Sequence, residues 1–243
     1  MPVEQLYETV LIPALAVAHR DRFAGRLDQD RFDYIRSAMK EQIEEVSEAL
    51  RVKQLKNAKQ EKADLPPVDS AVVQRSRISG AENVQVLCLP ARDESDEIAG
   101  MMFAQVLERH GFKAEAVSVT ALASEMVELV GKRKADITVI AALPPSAVAH
   151  ARYLCMRLRQ KFPDLKIVVG LWTAQGDLEK AKARISNSEG DPVVNNFTAA
   201  LHEIEQLAHP LLLAKSNQES IDLKASELEK AKEGVDALEL AAK

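Results

Sequence analysis

The chain is poor in the features that mark secreted, membrane-spanning or disulfide-linked proteins. Its 243 residues include only two cysteines, Cys88 and Cys155, and both stand in apolar patterns typical of core packing. No run approaches the roughly 18–20 apolar residues of a membrane span. The first residues carry no basic segment ahead of an apolar run, so no signal peptide is predicted. We therefore expect a cytoplasmic location.

Patterns that carry chemistry are also missing. The sequence shows no Ser-His-Asp or Cys-His arrangement, no metal-ligand spacing and no glycine-rich phosphate loop, so we do not expect an enzyme or a metal site. The formal net charge is −5 and the isoelectric point is about 5.7. An acidic surface repels phosphate backbones, so no nucleic-acid partner is predicted.

What the sequence does contain divides it into four parts. Residues 1–62 carry apolar residues at helical spacing and predict a helical cap-like module, with a kink or break near residue 12 because of Pro13 and a turn at Gly25. Residues 63–82 contain Pro66-Pro67 and little periodicity, which indicates a linker. Residues 83–213 predict an α/β domain, and residues 214–243 a helical tail.

The α/β domain is predicted from alternating apolar runs and amphipathic stretches. Strands are expected at residues 83–89, 112–119, 137–141, 166–170 and 193–194, and helices at 96–110, 122–132, 145–162, 177–187 and 196–213. Strands separated by helices pair in parallel through right-handed crossovers. The predicted fold is therefore α/β, with a flavodoxin-like doubly wound parallel five-stranded sheet that binds any ligand at the carboxyl ends of its strands.

Spacing within this domain resembles the cobalamin-binding domain of methyltransferases, mutases and cobalamin-dependent regulators. That family begins its first helix with Asp-x-His-x-x-Gly, which is similar in spacing to Glu94-Ser95-Asp96-Glu97-Ile98-Ala99. Ala141-Ala142-Leu143 stands at the family's Ser-x-Leu, and Gly170-Leu171 at its Gly-Gly. Residues 10–27 are similar to the helical cap of the regulators, with Arg22, Phe32 and Asp33 at the positions of the cap's cofactor-covering residues.

The departures from that family predict that cobalamin is not a cofactor. Asp96 replaces the histidine that ligates cobalt, and a carboxylate is a harder ligand. Ala141 replaces the serine that hydrogen-bonds the nucleotide base, and Leu171 with Trp172 would fill the groove of the nucleotide tail. The alternative is a true carrier or light sensor that binds cobalamin in base-on form through the cap and another lower ligand.

Three further stretches narrow the resemblance. Residues 86–94, 141–147 and 169–172 look like the soluble region that follows the membrane part of some autoinducer-2-exporter-type permeases. This likeness implies a cytoplasmic sensory, regulatory or interaction module, with a membrane permease domain as a possible partner. A free-standing relative of such regions is the other option.

The candidate ligand cleft combines seven residues at the expected strand ends, namely Asp93, Glu94, Asp96, Ala141, Ser146, Gly170 and Trp172. The acidic residues fit either helix capping or a site for a cation or cationic partner. Ser146 opens a helix whose N–H groups fit either simple initiation or an anion. Trp172 is either a ligand platform or a buried plug, and as a plug we expect it against Leu143, Leu171 and the Pro144-Pro145 turn.

Self-association is predicted from two apolar patterns. Residues 35, 39, 43, 46 and 50 form a helical stripe that exceeds what one α/β face needs, and residues 221, 228 and 235 repeat at a spacing of seven. The tail fits either a short coiled coil or a solvated helix. A twofold homodimer is the simplest expectation.

Overall fold

The computed structural model describes residues 2–60, 78–185 and 191–215. Its helical module begins with α1 (Val3–Leu6), a π-helical turn (Tyr7–Leu11) and α2 (Ile12–Phe23). Pro13 has no N–H to donate to the preceding turn, and the wider π-helical winding ends just ahead of it. The irregularity predicted near residue 12 is thus a change of helix type within a continuing helix.

A tight turn reverses the chain between α2 and the long helix α3 (Gln29–Gln60). Gly25 takes a left-handed φ of 70°, which glycine adopts without steric cost. Asp28 caps α3, because its Oδ1 accepts a hydrogen bond of 2.8 Å from the backbone N–H of Arg31. The two longer helices of the module therefore lie side by side.

The sheet has five parallel strands in the order β2-β1-β3-β4-β5. Their bounds are β1 Gln85–Pro90, β2 Lys113–Ala116, β3 Ile137–Ala142, β4 Lys166–Leu171 and β5 Val193–Val194. Every residue of β3 is buried, as expected for a central strand covered on both faces. The flavodoxin-like α/β prediction is confirmed.

Five helices complete the fold: α4 (Glu94–Arg109), α5 (Ala123–Lys132), α6 (Ala147–Lys161), α7 (Leu178–Ile185) and α8 (residues 197–215). One core layer lies between the sheet, α4, α8 and the helical module, and the other between the sheet and α5, α6 and α7. Strand β2 is shorter than predicted, because after Ala116 the chain leaves the sheet and the backbone N–H of Val119 donates to Glu97.

The helical module packs on α4. Ile43 is fully buried, and Met39 and Val46 are half-buried against the same core layer. The Gln105 side chain joins the two parts: its Oε1 accepts from Tyr7 Oη at 2.5 Å, and its Nε2 donates to the carbonyl of Ile43 at 3.0 Å. Much of the stripe assigned to self-association therefore covers the chain's own α/β domain.

Most of the predicted linker and tail lies outside the described residues. Residues 78–83 form a turn and a short 3-10 helix that lead into β1. Among the helices of the described ranges, none is both long enough and apolar enough to cross a membrane. Both cysteines are buried free thiols, and burial raises the pKa of Cys88 to about 12.

Candidate functional site

Four carboxylates follow β1 at the carboxyl end of the sheet, and we call Asp93, Glu94, Asp96 and Glu97 the acidic row. Asp93 is the N-cap of α4, and its Oδ1 accepts from the backbone N–H groups of Ser95 at 3.0 Å and Asp96 at 3.4 Å. Of the two interpretations of the acidic residues, helix capping therefore applies to Asp93. The other carboxylates lie in the first turn, where they oppose the positive end of the helix dipole.

Cations of the helical module meet the acidic row. His19 of α2 contacts Asp93, with 2.9 Å between Nε2 and Oδ2. On α3, Arg36 Nη1 lies 3.1 Å from Glu94 Oε2.

One turn further along α3, Lys40 Nζ lies 3.4 Å from Glu97 Oε1. Three cations thus face three carboxylates along the join between the two parts of the chain. The cationic groups that contact the acidic row in this structure therefore come from the helical module of the same chain.

His19 is the most enclosed of these cations, with 2% of its surface exposed. Its Nδ1 lies 2.7 Å from the carbonyl oxygen of Pro144, and its Nε2 faces Asp93. A carbonyl oxygen and an ionised carboxylate both accept hydrogen bonds, so this geometry matches the protonated ring, in which both nitrogens donate. Burial lowers the pKa of His19, but the bonds to Asp93 and Pro144 outweigh it and the pKa is raised overall.

Asp96 lies beneath this contact and is 3% exposed. Its Oδ1 accepts from the backbone N–H of Leu143 at 2.7 Å, which ties the start of α4 to the loop after β3. Burial and the neighbouring Asp93 raise the pKa of Asp96 to about 7, whereas the pKa of Asp93 is lowered because bonds from His19 and the backbone outweigh its burial. The two neighbouring carboxyls therefore ionise in different pH ranges.

Trp172 follows β4 on the same face of the sheet as α4 and is fully buried, which agrees with the plug interpretation. The predicted neighbours were partly wrong: the ring contacts Phe103 of α4 and Phe197 of α8, at centroid distances of 5.4 and 4.8 Å. Leu171 belongs to the opposite core layer, because successive residues leaving a strand point to opposite faces.

The indole covers Gly170 closely. A Cβ added at Gly170 would lie 2.1 Å from Trp172 Cζ2, which is much closer than non-bonded carbon atoms approach each other in proteins. Ala141 is enclosed as well. It is fully buried in β3, and α4 packs so closely on it that a Cβ added at Gly100 would lie 3.8 Å from the Ala141 Cβ. Neither Gly170 nor Ala141 is open to a ligand in this arrangement.

Ser146 lies in a third place, a cavity between α2, the loops after β3 and β4, and α7. The cavity has a volume of about 610 Å³ and includes Arg20 and Arg184 in its wall. Ser146 precedes α6 with a left-handed φ of 67° and makes no side-chain cap hydrogen bond. His150, one turn into α6, lies outside the cavity wall and contacts Arg92 at 3.2 Å.

The seven candidate residues therefore fall into three groups. Three belong to the acidic row, Ser146 to the cavity, and Ala141, Gly170 and Trp172 to the core. Sequence reasoning missed His19, Arg36 and Lys40. A signal for His19 was available, since it follows Ile12, Leu15 and Ala16 on one helical face, all of which are buried.

The residues at the cobalamin-like positions do not fit that cofactor here. Asp96 is enclosed and bonded to Leu143, and Trp172 occupies the space over Gly170 that a nucleotide tail would need. In the described ranges, no group of three or more His, Cys, Asp or Glu side chains could hold a metal ion.

No protein-family model and no curated protein sequence matches the chain. Among solved structures, the chain is similar to a novel cobalamin-binding protein from Desulfitobacterium hafniense DCB-2, with 13% sequence identity and a TM-score of 0.44. The alignment covers 79% of this chain and 98% of the other.

Proposed function

We propose that the chain is a non-enzymatic sensory or regulatory module with a cobalamin-binding-like fold that does not take cobalamin. The observation that carries the proposal is the docked helical module: its His19 occupies the acidic row at the carboxyl ends of β1 and β3, where a doubly wound fold binds ligands. In the same core layer as the helical module and α4, the space over Gly170 is taken by Trp172.

The side chains at this end of the sheet also support a role without catalysis. His19 has no ring nitrogen free to take a proton from a substrate, since one faces Asp93 and the other the carbonyl of Pro144. Asp93 is held by the start of α4 and by His19. Groups so fully engaged with one another stabilise a docked state.

The contacts between the docked helical module and the α/β domain support a sensory role. Besides their shared apolar core layer, the helical module and the α/β domain meet through ion pairs and one buried histidine, and such polar contacts respond to pH, salt or a ligand that favours one arrangement. The cytoplasmic location and a membrane permease domain as partner belong to this proposal and rest on the sequence resemblance.

Mixing the purified protein with hydroxocobalamin tests the proposal. After gel filtration, we expect the protein peak to carry no corrin absorbance, while the Desulfitobacterium cobalamin-binding protein run beside it carries the colour. A stoichiometric red protein peak would favour the competing function, a carrier or light sensor that binds cobalamin in base-on form. We expect the His19→Ala variant to stay colourless as well, because Trp172 still covers Gly170 in that variant.

A further inference from the structure

The cavity that contains Ser146 has the size and position of a small-molecule site, and we call it the arginine cavity. Its volume of about 610 Å³ falls in the usual range of roughly 300–1,000 Å³ for ligand pockets. Its walls come from α2 of the helical module, from the loops that follow β3 and β4, from the first turn of α6 and from α7. It therefore lies between the two parts that the acidic row holds together.

Charge of one sign lines the arginine cavity. Arg20 reaches it from α2 and Arg184 from α7, and no Asp or Glu is among the lining residues. Other arginines at structural joins are paired, such as Arg36 with Glu94 and Arg109 with Glu4. Arg20 and Arg184 are both exposed to solvent, and within the described residues neither forms an ion pair.

The remaining wall is apolar with a few polar atoms. Pro13, Val17 and Val148 supply accessible apolar surface, and Thr173 is among the polar lining residues. Thr173 holds a left-handed φ of 58°, which is disfavoured for a β-branched residue. Such strained residues occur most often where a chain shapes a ligand site.

We propose that the arginine cavity binds a small organic anion, a carboxylate or a phosphate ester with a compact apolar body, whose charge is held by Arg20 and Arg184. The apolar body would contact Pro13 and Val17. Because α2 and α7 belong to different parts of the chain, the bound anion would favour the docked arrangement. The inference rests on the proposed sensory function and names the class of ligand that the module would sense.

The test uses benzoate and phenyl phosphate as probes and benzamide as the neutral match for benzoate. Isothermal titration of the full chain should show millimolar binding or tighter for an anion, about what such small ligands achieve. Benzamide should bind at least about tenfold more weakly. The stronger of the two anions identifies carboxylate or phosphate as the preferred group. Trp172 emission offers a second readout, since its neighbours Leu171 and Thr173 line the cavity.

Arg20→Gln and Arg184→Gln should each weaken anion binding by about tenfold, and both together should abolish it. Arg152→Gln is the matched control: Arg152 is an exposed arginine on α6 outside the cavity wall, and its loss should leave binding unchanged. Circular dichroism checks that all variants are folded.

Three results would overturn the inference: no anion binding by the wild-type chain, equal binding of benzamide, or anion binding that survives both substitutions. The outcome of the cobalamin experiment does not depend on the outcome of the anion titration. If the chain retains cobalamin but loses benzoate binding on Arg20→Gln, the anion site stands and only the sensory function without cobalamin is wrong.

Discussion

The packing of Trp172 over Gly170 allows a quantitative test on two adjacent positions. Trp172 is fully buried between Phe103 and Phe197. Truncation to Ala should lower the free energy of unfolding by about 3–5 kcal/mol, as for other buried aromatics. At about 2–4 °C per kcal/mol for a chain of this size, the melting temperature should fall by roughly 6–20 °C.

A conservative variant separates packing from hydrogen bonding. The indole Nε1 is buried and has no hydrogen-bond partner among the described residues. Trp172→Phe therefore removes no hydrogen bond and keeps an aromatic ring beside Phe103 and Phe197, so it should cost only about 1–2 kcal/mol. Urea unfolding followed by circular dichroism measures both variants, and the wild-type emission should be blue-shifted and poorly quenched by iodide.

The matched substitution is Gly170→Ala. In the wild-type chain the new Cβ would meet the indole at 2.1 Å, so overpacking should cost about 1–3 kcal/mol or more. In the Trp172→Ala background the methyl group enters empty space, and the same change should cost almost nothing. The double-mutant cycle should therefore show a coupling of about 2 kcal/mol. Additive effects, or a red-shifted and readily quenched Trp172 signal, would refute the packing described here.

Three other predictions concern the acidic row and assembly. His19→Gln should lower the free energy of unfolding by about 2–3 kcal/mol. Because the pKa of His19 is raised in the folded chain, this loss should be greatest below pH 6.5 and should shrink as the pH rises through the folded pKa. Urea unfolding at several pH values measures it. Asp96→Asn keeps an acceptor for the backbone N–H of Leu143. Because folding raises the pKa of Asp96 from 3.8 to about 7, the free energy of unfolding of the wild type should fall relative to that of the variant between about pH 4 and pH 7. If the two free energies instead changed in parallel with pH, this prediction would be wrong. Light scattering at tens of micromolar tests the predicted dimer, which a monomer would exclude.

The sheet could be predicted because its strands are buried on both faces. Runs such as residues 137–141 are continuously apolar, and the amphipathic stretches between them are long enough only for crossover helices. The order of the strands then follows from the right-handed crossover rule and the flavodoxin-like pattern. The end of β2 could not be predicted, since the apolar pattern continues while the backbone of Val119 turns toward Glu97.

The candidate site was harder to predict because its contacts join distant residues. Four carboxylates at a helix start fit capping and cation binding equally well. The structure shows both at once, with Asp93 capping α4 and also contacting His19. The two residues lie 74 positions apart, and a helical pattern can indicate that His19 is buried without indicating which carboxylate it meets.

The two features that we propose exclude cobalamin, His19 at the acidic row and Trp172 over Gly170, are separate in the molecule. His19 contacts the rings of Phe23 and Phe32 in the helical module, whereas Trp172 contacts Phe103 and Phe197 of the α/β core. Because they share no ring partner, removing one should leave the other in place. A single substitution would thus open only part of the space that a corrin and its tail require. The arginine cavity, by contrast, is already open between the two parts of the chain, and an anion that fills it needs no side chain to move out of the core.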